Sequence, residues 1–218
     1  MEPQTVVRRG YDDMGDRYLE KCALHPSSPR HRFLAHLLTL LKPGSSVLEL
    51  GCGPGYPVTQ TLEEKHRVVA VELSGTQLKL ARRHAAAATL LQADMTRLHF
   101  RPLSFDAVVA FYSLTHVPRH LHTVLLGRVR EWLVPGGLFL ATMGAGDAPG
   151  SVEEDWLGVP MFFSHFDEST NLDLVRNVGL RVEDNVVVPE TEHDGREVTF
   201  LWVLARNPTT SHTHDPLT

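Results

Sequence analysis

The run Val47-Leu48-Glu49-Leu50 stops at Gly51-Cys52-Gly53-Pro54-Gly55. A short, mostly apolar stretch closed by glycines reads as a buried strand. Glycines at every second position after it make a turn where backbone can approach a ligand that any Cβ would block. No other feature constrains the chain as much, because this one demands a strand, a tight turn and a following helix. Taken alone, the turn leaves two readings open: a strand-to-helix connection with no ligand, and a dinucleotide-binding loop. The dinucleotide form is G-x-G-x-x-G, and here the third glycine comes one residue early.

The segments that follow narrow the choice. His66-Arg67-Val68-Val69-Ala70-Val71 reads as a second strand, with Glu72 just past its end. About 20 residues after such a turn, a cofactor-binding α/β unit places an acid that accepts from ribose hydroxyls. The plainer alternative is a surface glutamate ahead of a helix starting near Ser74. Thr89-Leu90-Leu91-Gln92-Ala93-Asp94-Met95 is a third short strand ending in an acid, and Phe105 to Ala110 is a fourth. Trp132 to Leu140 carries a Pro-Gly-Gly turn into a fifth.

In this order, over roughly residues 40–145, these five features resemble the class I S-adenosylmethionine-dependent methyltransferases, of the small-molecule, UbiE-like methyltransferase-domain type. The resemblance implies an α/β fold with a doubly wound, Rossmann-like seven-stranded sheet, mostly parallel with an antiparallel last strand. It implies an S-adenosyl-L-methionine site at the carboxyl ends of the strands, with S-adenosyl-L-homocysteine as product. On the family's pattern Glu72 holds the ribose, Asp94 accepts from the adenine amino group, and the N–H of Met95 meets a ring nitrogen. Glu49, Gly51, Cys52, Gly53, Gly55, Leu73 and Phe111 complete the expected contacts. Tyr11 and Tyr18 are expected to fold over the cofactor from an N-terminal helix.

Bulk properties set the outer limits. The 218 residues are 42% hydrophobic and 22% charged, which suits one soluble domain with an ample core. A net charge of -5 argues against a dedicated nucleic-acid binder, which shows a basic footprint. Cys22 and Cys52 make neither a CxxC pair nor a disulfide framework. No apolar stretch nears the ~20 residues of a membrane span, and Met1 to Gly10 lacks the apolar region of a signal peptide. The expectation is a cytoplasmic enzyme without nucleic-acid or membrane partners; a homodimer is left open.

Val6, Val7, Tyr11, Met14, Tyr18, Leu19 and Cys22 recur at near-helical spacing. Residues 1–28 therefore read as an N-terminal helical cover, broken at Pro26-Ser27-Ser28-Pro29. Phe33 to Leu41 reads as a helix stopped by Pro43-Gly44. Strands and helices then alternate to Met143, the pattern of a parallel sheet, with a helix over Val124 to Trp132. Residues 144–166 interrupt the rhythm. Loops longer than ~15 residues inside a compact domain are functional or disordered, and the large apolar groups here favour a lid or substrate wall. Asp167 reads as the N-cap of a helix to Val178. Leu180 to Val188 and Val198 to Ala205 read as paired strands joined by Glu192-His193-Asp194-Gly195. One domain is expected over 1–207, followed by a mobile polar tail at 208–218.

Methyl transfer needs an acceptor aligned with the donor and shielded from water, and for oxygen or nitrogen acceptors a base within hydrogen-bond reach. Phe111 to His116 follows the fourth strand, where an open α/β sheet faces its ligands. His116 is the first candidate base, since an unperturbed histidine titrates near neutrality; its plainer reading is packing against the turn at Pro118. His165 is the second, with a loop hydrogen bond as its plainer reading. Tyr112, Trp156, Met161, Phe162 and Phe163 are expected to wall a small-molecule acceptor. The chain lacks the Asn/Asp-Pro-Pro-Tyr/Phe run of base-modifying enzymes and the acids that bind magnesium in catechol-type members, so no metal is expected. The expected function is methylation of a small molecule at oxygen, nitrogen or carbon. A cyclisation on the same fold, an NAD-dependent oxidoreductase and a non-catalytic partner subunit stay open.

Overall fold

The computed structural model describes residues 2–20, 28–192 and 194–209. Cys22, His193 and the tail from 210 onward lie outside the described residues. The strands are β1 (Ser46–Leu50), β2 (Arg67–Glu72), β3 (Thr89–Gln92), β4 (Phe105–Ala110), β5 (Leu133–Gly144), β6 (Ala148–Trp156), β7 (Val159–His165), β8 (Arg181–Thr191) and β9 (Glu197–Arg206). The helices are α1 (Pro3–Met14), α2 (Asp16–Tyr18), α3 (Pro29–Leu40), α4 (Val58–Glu63), α5 (Gly75–His84), α6 (His122–Trp132) and α7 (Glu168–Asn177).

Seven strands form one sheet in the order β3-β2-β1-β4-β5-β9-β8. The pairs from β3 to β5 are parallel, and β9 runs antiparallel to both β5 and β8. The expected architecture is therefore present, last strand included. Side chains alternate across β1 and β4, so both faces are buried and the strands read as apolar runs. Leu48, Leu50, Val108 and Ala110 pack with Leu125 and Val129 of α6 and Val175 of α7. Val47, Ala107 and Val109 face the other way, onto Leu34 and Leu37 of α3, Leu62 of α4 and Ala81 of α5. Strand order reverses between β1 and β4, which opens a crevice beyond their carboxyl ends.

Helix ends follow local chemistry. Ser74 and Asp167 cap α5 and α7, accepting from the N–H groups of Gln77 and Thr170. Ser74 thus does start the helix, while Glu72 keeps a separate role described below. The helix before β5 begins at His122, earlier than its apolar spacing indicates. Among the described residues no helix is long and apolar enough to cross a membrane.

Two segments differ from expectation. The N-terminal helix stops at Met14, because Gly15 takes φ +55° and starts the short α2. Residues 144–166 are no irregular loop: β5 continues to Gly144, and β6 and β7 form a separate antiparallel hairpin. Its glycines, prolines and acids mask a strand pattern in which Trp156, Val159, Met161 and Phe162 are buried. These pack with Val7 and Met14 of α1 in a third cluster apart from the main core. The hairpin and α1 together therefore cover the crevice.

Candidate functional site

The turn after β1 is shaped by its neighbours. The N–H groups of Gly51 and Cys52 donate to Val71 O at the end of β2, at 2.8 and 3.0 Å. Gly51 takes φ +80°, and a Cβ there would sit 2.4 Å from the Cβ of Ser113. Glycine at 51 therefore lets the chain after β4 cross, and Ser113 Oγ donates to Leu50 O at 2.6 Å. Gly55 serves a different purpose. Its missing Cβ makes room for α5, since a side chain would meet Ala81 Cα at 2.9 Å.

Glu72 is 7% exposed. Its Oε2 accepts from the Gly53 N–H at 2.9 Å and its Oε1 from the Ser74 N–H at 2.7 Å. Burial raises its pKa, against the lowering effect of these N–H donors. Glu72 borders a narrow cavity together with Gly51, Gly53, Leu73, Asp94, Met95 and Phe111. Asp94 also caps a short turn, with Oδ1 accepting from the Thr96 N–H and hydroxyl at 2.8 and 2.7 Å. The third strand ends at Gln92, so Asp94 lies in this turn rather than in the ladder.

Three residues expected at the cofactor, Glu49, Cys52 and Gly55, lie outside the narrow cavity. Glu49 points into the sheet's other face, is 3% exposed, and accepts from Thr59 Oγ1 at 2.7 Å. Burial, opposed by that hydroxyl, raises its pKa to about 7. Cys52 is buried, and burial pushes its thiol up, well out of reactive range. Gly55 packs on α5, as above.

The cover is tied down by α1. Asp12 Oδ1 accepts from Ser74 Oγ at 2.6 Å and from the Thr76 N–H at 3.1 Å, while Gln77 Nε2 donates to the carbonyls of Tyr11 and Gly15. Tyr11 and Tyr18 are thereby held over the narrow cavity, which they line with Gln4 and Val7. Gln4, Val7 and Ser113 carried no sequence signal, since each reads as ordinary helix or loop.

A wider cavity of about 620 Å³ adjoins it. Trp156, Phe163, Tyr112 and His116 are among its walls, with Arg30, Glu190 and Phe200 beyond them. Tyr11, Tyr18, Tyr112 and His116 border both cavities. Met161 and Phe162 do not line either one. On one face of β7 Phe163 lines the cavity and Met161 lies beneath α1 at Gly10, while the Phe162 ring, on the opposite face, lies against Gly150. His165 is also outside both cavities: its Nδ1 bonds to Gly146 O at 2.6 Å, at the base of the hairpin.

His116 is 8% exposed and fully engaged. Its Nδ1 lies 2.8 Å from Phe162 O and its Nε2 2.9 Å from Tyr11 Oη. A carbonyl only accepts, so Nδ1 carries the proton and Nε2 accepts from the Tyr11 hydroxyl. Burial, against the Phe162 hydrogen bond, lowers the His116 pKa to about 4. Its ring lies 4.9 Å from Phe163 and 6.0 Å from Trp156, centroid to centroid. The histidine found from sequence thus borders both cavities with its Nε2 committed to Tyr11, a partner 105 residues away.

Comparison with known proteins places this geometry. Residues 47–137 match the family model described as a methyltransferase domain. A sterol 24-C-methyltransferase of Candida albicans is 31% identical over 134 residues, 56% of this chain and 34% of the relative. A ubiquinone biosynthesis O-methyltransferase of Xanthomonas campestris pv. campestris is 32% identical over 127 residues, 55% of this chain and 52% of the relative. The chain thus matches about a third to a half of the length of these curated relatives. The crystal structure of Burkholderia thailandensis 1,6-didemethyltoxoflavin-N1-methyltransferase, with 1,6-didemethyltoxoflavin and S-adenosylhomocysteine bound, aligns with a TM-score of 0.68. That alignment has 24% identity and covers 92% of this chain and 84% of the other, a likeness of fold.

Proposed function

From the premise that the chain carries a class I S-adenosylmethionine-dependent methyltransferase domain, we propose that it methylates a small-molecule acceptor. In this reading the acceptor lies in the wide cavity and the cofactor in the narrow one. One observation carries it: Tyr11, Tyr18, Tyr112 and His116 border both cavities, so the two ligand spaces meet at these four side chains. The residues fit the cofactor. A buried carboxylate facing a cavity needs hydrogen-bond donors, and ribose hydroxyls would add to the two N–H groups already on Glu72.

When bound, S-adenosylmethionine supplies a methyl group already activated on a positive sulfur. Around it Glu72 holds the ribose and Asp94 meets the adenine. The hairpin β6–β7 and α1 act as a lid that keeps water out, through Trp156 and Phe163 on the acceptor side. Tyr11 and His116 take away the acceptor's proton. Tyr11 Oη receives it from the acceptor's hydroxyl and passes its own to Nε2 of His116. At a pKa of about 4, His116 is neutral and able to accept. Such a weak base suffices for a hydroxyl acceptor, because the oxygen becomes strongly acidic as it gains the methyl group; a neutral amine attacks without a base. The Phe162 carbonyl on Nδ1–H then stabilises the imidazolium.

Two measurements test the reading. Calorimetry with S-adenosylhomocysteine should show binding, and NAD(H) in parallel should not bind. A panel of small acceptors assayed by mass should gain one methyl group. Binding of NAD(H) in place of S-adenosylhomocysteine would return the oxidoreductase reading.

A further inference from the structure

The turn that carries His116 is clamped by a second histidine. His122 opens α6 and is 3% exposed. No side chain caps that helix at its N-cap, Leu121. The His122 ring reaches back over the segment before it instead. Its Nε2 lies 3.2 Å from Leu114 O and 3.1 Å from Val117 O. Carbonyls only accept, so Nε2 carries the proton and donates to both. Leu114 and Val117 bracket His116 in the single helical turn after β4. The backbone bonds of that turn run from the His116 N–H to Ser113 O at 3.2 Å and from the Val117 N–H to Leu114 O at 3.0 Å. Turns of this tight kind have poor hydrogen-bond geometry. One ring N–H therefore ties the start of the turn to its end.

The other ring nitrogen shows what this histidine is for. Nδ1 is buried and has no hydrogen-bond partner among the described residues. A buried acceptor left unpaired costs free energy, and native structures keep few of them. Burial also lowers the His122 pKa, against the two carbonyl contacts, so the ring is neutral with its one proton on Nε2. A leucine beside the Phe166 ring would pack there without that cost. What only the histidine provides is the N–H on the turn. The site depends on that turn. His116 bridges two elements of the cover, with Nδ1–H on Phe162 O of β7 at 2.8 Å and Nε2 on Tyr11 Oη of α1 at 2.9 Å. Its ring keeps both contacts only while its own backbone stays in place. The two histidines are thus opposite tautomers, His116 protonated at Nδ1 and His122 at Nε2.

We propose that His122 is a positioning residue for methyl transfer: its Nε2–H fixes the turn after β4, so that His116 presents its free Nε2 lone pair to Tyr11. His122 lines neither cavity and touches no ligand space, so it acts through His116 alone. This rests on His116 being the proton acceptor for a hydroxyl substrate.

The test joins ring-nitrogen NMR of the histidine-labelled full chain to kinetics with a hydroxyl acceptor. In wild type near neutral pH, His122 should be neutral and protonated at Nε2, and His116 neutral and protonated at Nδ1. Each is assigned by the signal lost in its own variant. His122→Leu removes the donor, whereas His122→Gln sets an amide N–H near the place of Nε2. In His122→Leu the His116 signals should move toward a mixture of tautomers. Its kcat should fall about 10²-fold, the scale of a misplaced group acting from outside the chemistry, with KM and S-adenosylhomocysteine affinity within about threefold. His122→Gln should restore the His116 signals and most of kcat. His122 protonated at Nδ1 in wild type would overturn the proposal before any variant is made, and that measurement stands should His122→Leu fail to fold. Unmoved His116 signals in folded His122→Leu, or a loss that His122→Gln does not restore, would overturn it too. Displaced His116 signals with full kcat would instead strike His116 as the base, while the clamp on its turn stands.

Discussion

Replacing Glu49 with glutamine should change how stability depends on pH and leave cofactor affinity alone. Glu49 is buried in the sheet with one hydroxyl partner, Thr59, and burial lifts its pKa from the usual 4.5 to about 7. The folded value lies above the unfolded one. Its contribution to stability is therefore fully present below pH 4.5 and is lost as pH rises through 7. That displacement corresponds to about 3 kcal/mol in favour of the neutral acid, of which about 2–3 kcal/mol falls between pH 5 and pH 8. Glutamine has the same shape, can still accept from Thr59, and stays neutral throughout. The unfolding free energy of Glu49→Gln minus that of wild type should accordingly grow by about 2–3 kcal/mol from pH 5 to pH 8. Urea denaturation across that range measures it, with a matching shift in Tm of roughly 2–4 °C per kcal/mol for a chain of this size. Because Glu49 does not line the narrow cavity, the S-adenosylhomocysteine dissociation constant should stay within about threefold. A stability difference independent of pH would refute the burial reasoning. A loss of cofactor affinity of about tenfold or more would restore Glu49 as a direct contact, the role expected from sequence.

Three further outcomes follow from the site. Tyr11→Phe and His116→Gln should each slow turnover of an accepted substrate by about 10²–10⁴-fold, and the double variant should be little slower than the worse single one, since both serve one proton path; full activity in Tyr11→Phe would remove the relay. Glu72→Gln should weaken S-adenosylhomocysteine by about 10–100-fold, as one N–H donor and the ribose lose a charged acceptor; unchanged calorimetric affinity in the folded variant would move the ribose elsewhere. Gly55→Ala should cost about 1–3 kcal/mol of stability, from a Cβ 2.9 Å from Ala81 Cα at φ +76°, with cofactor affinity retained; a neutral result in thermal melts would show that the turn and α5 can part freely.

Much of the frame was written locally in the chain. The apolar runs at β1, β2 and β4 identify strands buried on both faces, because alternate residues must meet helices on either side. The glycine spacing marks the turn, and Glu72 falls at the right distance because β2 and the intervening helix set it. Asp167 as a cap is likewise a short-range matter, settled within three residues. These are constraints of periodicity, φ and nearby hydrogen bonds, which a sequence carries openly.

Which glycine borders the cavity and which backs a helix could not be read this way. Gly53 and Gly55 look alike until α5 is seen against the second of them. Glu49 and Glu72 both follow apolar runs, yet strand alternation sends one into the core and the other to the cavity. Residues 144–166 hid a hairpin because its partner surface, α1, lies more than a hundred positions earlier. His116 was visible as a candidate, but its tautomer is set by Phe162 and Tyr11, far along the chain in opposite directions, and its low pKa by the burial they bring. His165, equally plausible by type, lies outside both cavities because β7 ends with it at the hairpin's base. Arg30 carried no signal, since an arginine near the start of a helix reads as solvated. Burial and hydrogen-bond partners belong to the meeting of distant segments, and only the tertiary structure decides which segments meet.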